Sequence, residues 1–404
     1  MLAREGTLWS ALHMSTKTRS ITLLMIAQVS ALSLWFISAA VLPDMSREFE
    51  ISSLAQAALS SAVAAGFVVG ALISAFSGLS DRFDPRKVFA ACAIVAALSG
   101  FALLAFQPGG AGSVAMRFVT GVMLAGVYPV GMKIAVGWGK EDRGLLVGLL
   151  VGALTFGSAS PHLVAWLGEA DWRSTIAIVS SLTIVSAFII LFSQLGPHHA
   201  KAPAFKMSAI GEAWTNKRVR YAYLGYFGHM WELYAMWAWI GVATLASYRL
   251  SMPEADAISF SKLTAFLAVG LGGLTCFICG WAADRIGKAQ VTIIAMAVSG
   301  IAAVATAVTF GGPPWITFLV VIIWGIAIIP DSPQFSALVA DSSPPEVAGS
   351  LMTFQTAIGF ALTIFTVQIT PYAVEWTSWP TVMLIMAAGP VFGIWFMRKF
   401  TKLP

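Results

Sequence analysis

Six ionisable side chains of this 404-residue chain stand inside long apolar runs: Arg117, Lys133, His162, His229, Glu232 and Asp331. A charge at the centre of a hydrocarbon layer costs roughly 2.5–3.5 kcal/mol on insertion scales, so each such group is a candidate for function. His229 and Glu232 are three residues apart and so share one face of a helix. An imidazole beside a carboxyl can load and release a proton; the plainer reading is a His–Glu hydrogen bond that pins two helices. Asp331 lies between Pro330 and Pro333. Each proline removes a backbone donor and frees a carbonyl, so the helix is expected to break at Asp331. Such breaks are tolerated where they line a polar cavity; otherwise the segment is a helix-ending turn. Arg117 and Lys133 share one run, but the roughly 24 Å between them in a straight helix prevents both from holding one small ligand. Arg117 is expected to draw in anions or to pair with an acid between helices. Lys133 either contacts ligand or snorkels to the interface. His162, after Pro161, has no evident role.

The elements that position these groups follow from composition. Hydrophobic residues make up 58% of the chain and charged residues 11%, and mean hydropathy is +0.81. The solvent for such a chain is lipid. Apolar runs near the 20 residues of a helical span recur at about 21–43, 54–76, 88–107, 113–138, 144–167, 172–195, 220–247, 260–283, 289–310, 315–339, 346–370 and 378–397. The first is too long for a signal-peptide core and reads as a span. Basic residues resist translocation. With both ends of the chain cytoplasmic, three of the 24 fall outside (Arg47, Arg173, Arg249), three fall in or beside spans (Arg117, Lys133, Lys262), and the other eighteen lie inside. The net charge of +5 therefore reflects topology, not nucleic-acid binding. Cys92, Cys276 and Cys279 all fall within spans, where small core residues are the expected reading and a disulfide or metal site is not.

The longest polar interval, 196–219, separates six spans from six, giving an amino-terminal bundle over 1–195 and a carboxy-terminal one over 220–404. The interval between the second and third spans of each half repeats. It carries Asp81-Arg82 before Arg86-Lys87 in one copy and Gly280, Asp284-Arg285 and Lys288 in the other. This pattern resembles the signature loop of the major facilitator superfamily, although Ser77 and Asp84 replace the flanking glycines of the first copy. The fourth span resembles the family's fourth-helix motif, with Arg117 followed by Gly121, Gly126, Pro129 and Gly131. The resemblance implies an all-α membrane fold of twelve helices in two six-helix repeats. It also implies that Asp81, Arg82, Asp284 and Arg285 lock the cytoplasmic ends in the outward-facing state. The first, fourth, seventh and tenth helices would then line a central cavity. Gln28, Trp35, Arg117, Tyr128, Lys133, Trp231, Glu232, Trp324 and Asp331 become the candidate substrate contacts, and His229, Glu232 and Asp331 the candidate proton carriers.

The expected function is proton-coupled movement of a small organic solute across an inner, cytoplasmic membrane, with Arg117 and Lys133 favouring an organic anion such as a carboxylate. The same carboxyls would serve an antiporter that exports drugs or other cationic, amphipathic compounds. Neither GxSxG nor HExxH occurs, so no enzyme is expected. No cofactor, metal or nucleic acid is expected either; the partners are solute, proton and lipid, and the chain is expected to act as a monomer. The linker lacks the acidic-basic motif that sugar porters of this superfamily carry after the sixth helix.

Overall fold

The computed structural model describes residues 15–139, 142–168, 171–199 and 209–403, and these form twelve long helices with short connections. In chain order they are α1 (Thr16–Glu48), α2 (Ser53–Ser77), α3 (Pro85–Ala102), α4 (Ala111–Val136), α5 (Arg143–Leu167), α6 (Trp172–Leu191), α7 (Lys217–Tyr248), α8 (Glu254–Ile286), α9 (Lys288–Thr309), α10 (Pro314–Asp341), α11 (Pro345–Trp376) and α12 (Trp379–Phe400). Among the described residues, eleven are long and apolar enough to cross a membrane. The remaining one, α7, has the length at 32 residues but spends its interior on His229, Glu232, tyrosines, tryptophans and glycines. Most of it is buried by its neighbours rather than by lipid.

Helix packing repeats between halves. In the first half α1 packs on α5 and α6, α2 on α4, and α3 on α6; in the second, α7 packs on α11 and α12, α8 on α10, and α9 on α12. The halves meet mainly through α2 against α11 and α5 against α8, two contacts related by the same exchange of halves. Small residues permit the closest approaches. A Cβ on Gly121 would stand 2.0 Å from the Val63 carbonyl oxygen, and one on Gly325, the matching place in α10, 2.0 Å from that of Ala268. Backbone cannot yield as a side-chain tip can, so Gly121→Val and Gly325→Val are each expected to cost at least about 1–3 kcal/mol through overpacking. Thermal unfolding in detergent, followed by loss of the monodisperse peak, measures this.

Prolines inside the spans would leave carbonyls without donors in a dry interior, and at three of them side chains make good the loss. Pro330 strips the donor from the Ile326 carbonyl, and Thr275 of α8 donates its hydroxyl there at 2.6 Å. Pro371 does the same to Val367, which accepts from the Trp239 indole at 3.0 Å. Pro161 frees Gly157, which accepts from Ser160 at 2.8 Å.

Three helices break near mid-span. The break in α10 runs from Ile328 to Ser332 and contains Pro330 and Asp331, where the prolines require it. That in α4, Leu124 to Tyr128, precedes Pro129, which cannot donate to Ala125. The break in α1, Leu32 to Ile37, contains no proline. Its turn is tightened by bonds from Trp35 N to Leu32 O at 3.0 Å and from the Ser33 hydroxyl to Ser30 O at 2.6 Å, the local competition that serine offers a helix.

Candidate functional site

Two layers of side chains lie where the halves meet at mid-span. The first is aromatic. Trp35 and Phe36, from the break in α1, meet Tyr234 of α7 with ring centroids 5.9 and 5.7 Å apart. Phe67 of α2 lies 4.8 Å from Trp35 and 4.7 Å from Phe360 of α11, and Trp237 closes on Phe36 at 5.7 Å. Six rings from both halves thus form a dry plug.

Arg117 holds the α1 side of that plug. It is fully buried and donates to Leu34 O at 2.8 Å, Trp35 O at 2.5 Å and Leu59 O at 3.2 Å. The break in α1 exposes the first two carbonyls, and the planar guanidinium fork is suited to serving several acceptors at once. The expectation that Arg117 draws anions or pairs with an acid is therefore replaced, because its donors are committed to main-chain oxygens.

The second layer is polar and lies about 7.5 Å along α7, five residues at the helical rise, toward the end where α1 begins and α12 finishes (the near end). Here His229 Nδ1 stands 2.9 Å from Asp331 Oδ1, with the side chains 1% and 2% exposed. The contact has ion-pair distance without a hydrogen bond's alignment, and among the described residues neither Asp331 Oδ1 nor His229 Nε2 has a hydrogen-bond partner. Tyr226 stacks on His229 at 5.8 Å, and Phe335 packs against both rings. Tyr128 of α4 comes within electrostatic range of Tyr226 across the seam, and Gln28 of α1, packed on Gly131 of α4, is fully buried with both amide atoms unpartnered.

His229 and Glu232 do not pair with each other. Glu232 turns into the second half, where Oε1 accepts from the Trp324 indole at 2.7 Å and Oε2 from the Ser299 hydroxyl at 2.9 Å. The physical reason is that α10 crosses α7 with Trp324 and Asp331 on either side of its break, and each takes one of the two groups. Tyr234, two residues on and so on the opposite face, looks across to the first half. Trp231 also points away from the seam: its indole donates to Ile385 O of α12 at 3.0 Å. Lys133 is half-buried toward the near end of α4. His162 is buried against Gly241 of α7.

At the near end Arg82, Asp284 and Arg285 are exposed, while the Asp81 side chain lies outside the described residues. Arg285 folds back over the Trp281 ring at 3.6 Å. Asp84 caps α3, and its hydrogen-bonded ion pair with Arg86, 2.6 Å, holds its carboxyl below the usual carboxylate range. The α5–α8 seam widens toward this end. A Cβ on Gly273 would lie 3.1 Å from Gly152 O and one on Gly148 4.0 Å from Phe277, while one on Gly144 or Gly280 would meet nothing within 4 Å. At the opposite, far end the seam is tied. Ser53 bonds Glu375, Ser61 bonds Gln368 at 2.7 Å, Trp166 bonds Ser259 at 3.0 Å, and Lys262 of α8 pairs with Asp44 of α1 at 2.6 Å. Asp44 falls just past the first apolar run, 21–43, and Lys262 just inside the start of the eighth, 260–283, so neither stood out as a charge buried at mid-span.

A multi-pass helical bundle of two like halves, closed at one end over a polar seam, defines a membrane carrier. The family model of the Major Facilitator Superfamily matches residues 24–367, and the chain belongs to that family. A comparison with curated proteins finds no significant match. Among solved structures the chain is similar to a D-xylose-proton symporter, with a TM-score of 0.76 at 14% identity over 96% of this chain and 98% of that one. It is also similar to the nucleoside transporter NupG, with a TM-score of 0.74 at 16% identity over 96% and 100%. The partially occluded inward-open form of XylE from E. coli matches with a TM-score of 0.73 at 14% identity over 96% and 100%. These identities carry the fold alone.

Proposed function

We propose that the protein is a proton-coupled secondary transporter of a small organic solute, working by alternating access, with its near end in the cytoplasm of the inner membrane. The observation that carries this reading is the buried His229–Asp331 pair on the seam, one layer below the aromatic plug. With one proton shared between them the two groups are neutral overall, which a dry seam tolerates; with two protons or none they carry net charge and need water or solute. A group whose charge changes with exposure is what coupling requires. The excess of basic residues at the near end supports its cytoplasmic placement, so the structure corresponds to a carrier closed to the outside.

Arg117 is spent on carbonyls, which removes the main support for an anionic solute. The amide of Gln28 and the hydroxyls of Tyr128 and Tyr226 suit an uncharged, hydrogen-bonding solute, and the neighbours named for xylose and for a nucleoside carry solutes of that kind. The aromatic plug one layer from Asp331 favours a second reading, export of an organic cation.

The test is solid-supported-membrane electrophysiology on proteoliposomes, offering pentoses, nucleosides, carboxylates and lipophilic cations with and without a pH gradient. Uncharged solutes are expected to elicit currents, and at one proton per solute each pH unit supports about tenfold accumulation. Efflux of preloaded cation driven by a pH gradient, with no response to uncharged solutes, selects the exporter. Accumulation indifferent to the gradient removes proton coupling.

A further inference from the structure

We propose that Asp44 and Lys262 are the latch that keeps the far mouth of the carrier shut, so that breaking this one buried ion pair is a step of outward opening. The pair joins the halves: Asp44 stands on the second segment of α1, Lys262 on α8, and 218 residues separate them. Their side chains are 3% and 4% exposed, and the ammonium also donates to Ala165 O of α5 at 3.2 Å. Two helices of the first half therefore grip one cation of the second. The neighbouring far-end pairs, Glu48–Arg173 and Arg249–Glu254, are more exposed and each stays within one half, so opening leaves them intact.

The energetics give the pair a direction. A buried ion pair adds little over an apolar match of the same shape, but one partner left alone in a dry interface is strongly unfavourable. Closing therefore requires both charges. When the halves part, each charge is rehydrated, so an intact pair can separate; with one charge neutralised, closure buries the other unpaired. Single neutralisation is thus expected to hold the far mouth open. Among the described residues Asp44 Oδ1 has no hydrogen-bond partner, so the carboxylate's second oxygen does not tie it further to its own half.

The latch is a property of the two halves and is read without substrate, so it stands or falls separately from the proposed solute. Spin labels at Glu50 and Ser251, exposed far-end positions in opposite halves, report the mouth by pulsed dipolar spectroscopy once Cys92, Cys276 and Cys279 are replaced by alanine. In Asp44→Asn and in Lys262→Met the ratio of short to long distances is expected to fall at least about tenfold. The exchange Asp44→Lys with Lys262→Asp is expected to restore most of the short-distance population, which a merely packing role would not. Unchanged distances in both single variants overturn the latch. So does a shift that the exchange leaves in place, and so does failure of all three variants to fold, which would make the pair a structural one.

Discussion

Asp331→Asn is expected to abolish solute accumulation driven by a pH gradient while leaving exchange of labelled for unlabelled solute within a few-fold of the parent. The substitution keeps the shape of the side chain 2.9 Å from His229 but removes the carboxylate that lets the pair trade net charge for a proton. What is lost is coupling, about 1.4 kcal/mol of driving force for each pH unit at one proton per solute. Exchange does not use that force, so it survives. His229→Gln is expected to fall between these limits, because Asp331 can still bind a proton but loses the partner that offsets its charge. Glu232→Gln provides the contrast. Both Glu232 oxygens accept hydrogen bonds inside the second half, and an amide has one acceptor and one donor to offer in their place. Its expected cost is about 1–3 kcal/mol of stability with coupling retained. Proteoliposome uptake and counterflow, run side by side on the three variants, separate these outcomes. Coupling lost in Glu232→Gln and kept in Asp331→Asn would move the proton site into the second half's interior.

The fold was legible because lipid imposes length and hydropathy on every span, and the repeat of Asp81-Arg82 in Asp284-Arg285 marked the two halves. The break in α10 was legible too, since two prolines flank Asp331. The break in α1 was not. Its Ser33-Leu34-Trp35-Phe36 has no proline, and it is stabilised by an arginine from α4 that no local pattern announces. Residue types at the site could be chosen from the cost of burying charge, but their partners could not. Helical spacing put His229 beside Glu232, whereas the position of α10 gave His229 to Asp331 and Glu232 to Trp324. The Asp44–Lys262 pair was hidden for the same reason, its members lying 218 residues apart at the ends of spans.

Arg117→Met is expected to reduce the yield of folded protein severely and to lower the thermal midpoint of whatever remains. Two effects oppose each other. Removing a buried cation relieves its desolvation, and apolar replacement of a buried ion pair is often neutral or stabilising. That relief depends on both partners becoming apolar, however, and the partners of Arg117 are the carbonyls of Leu34, Trp35 and Leu59, which no side-chain substitution removes. The Leu34 and Trp35 carbonyls lie in the break and are stripped of donors at about 1–3 kcal/mol each, while Leu59, inside α2, keeps its helical donor; the loss outweighs the relief in a protein whose whole stability is on the order of 5–15 kcal/mol. Arg117→Lys keeps the charge and three donors on a single nitrogen; lacking the planar fork, it is expected to serve one or two of the carbonyls and to recover part of the yield. Because the freed carbonyls belong to the segment that presents Trp35 and Phe36 to Tyr234, folded Arg117→Lys is also expected to leak solute past the plug without a gradient. Detergent thermal unfolding and passive efflux from loaded proteoliposomes measure the two effects. An Arg117→Met protein as stable and as tight as the parent would mean that the break in α1 holds itself.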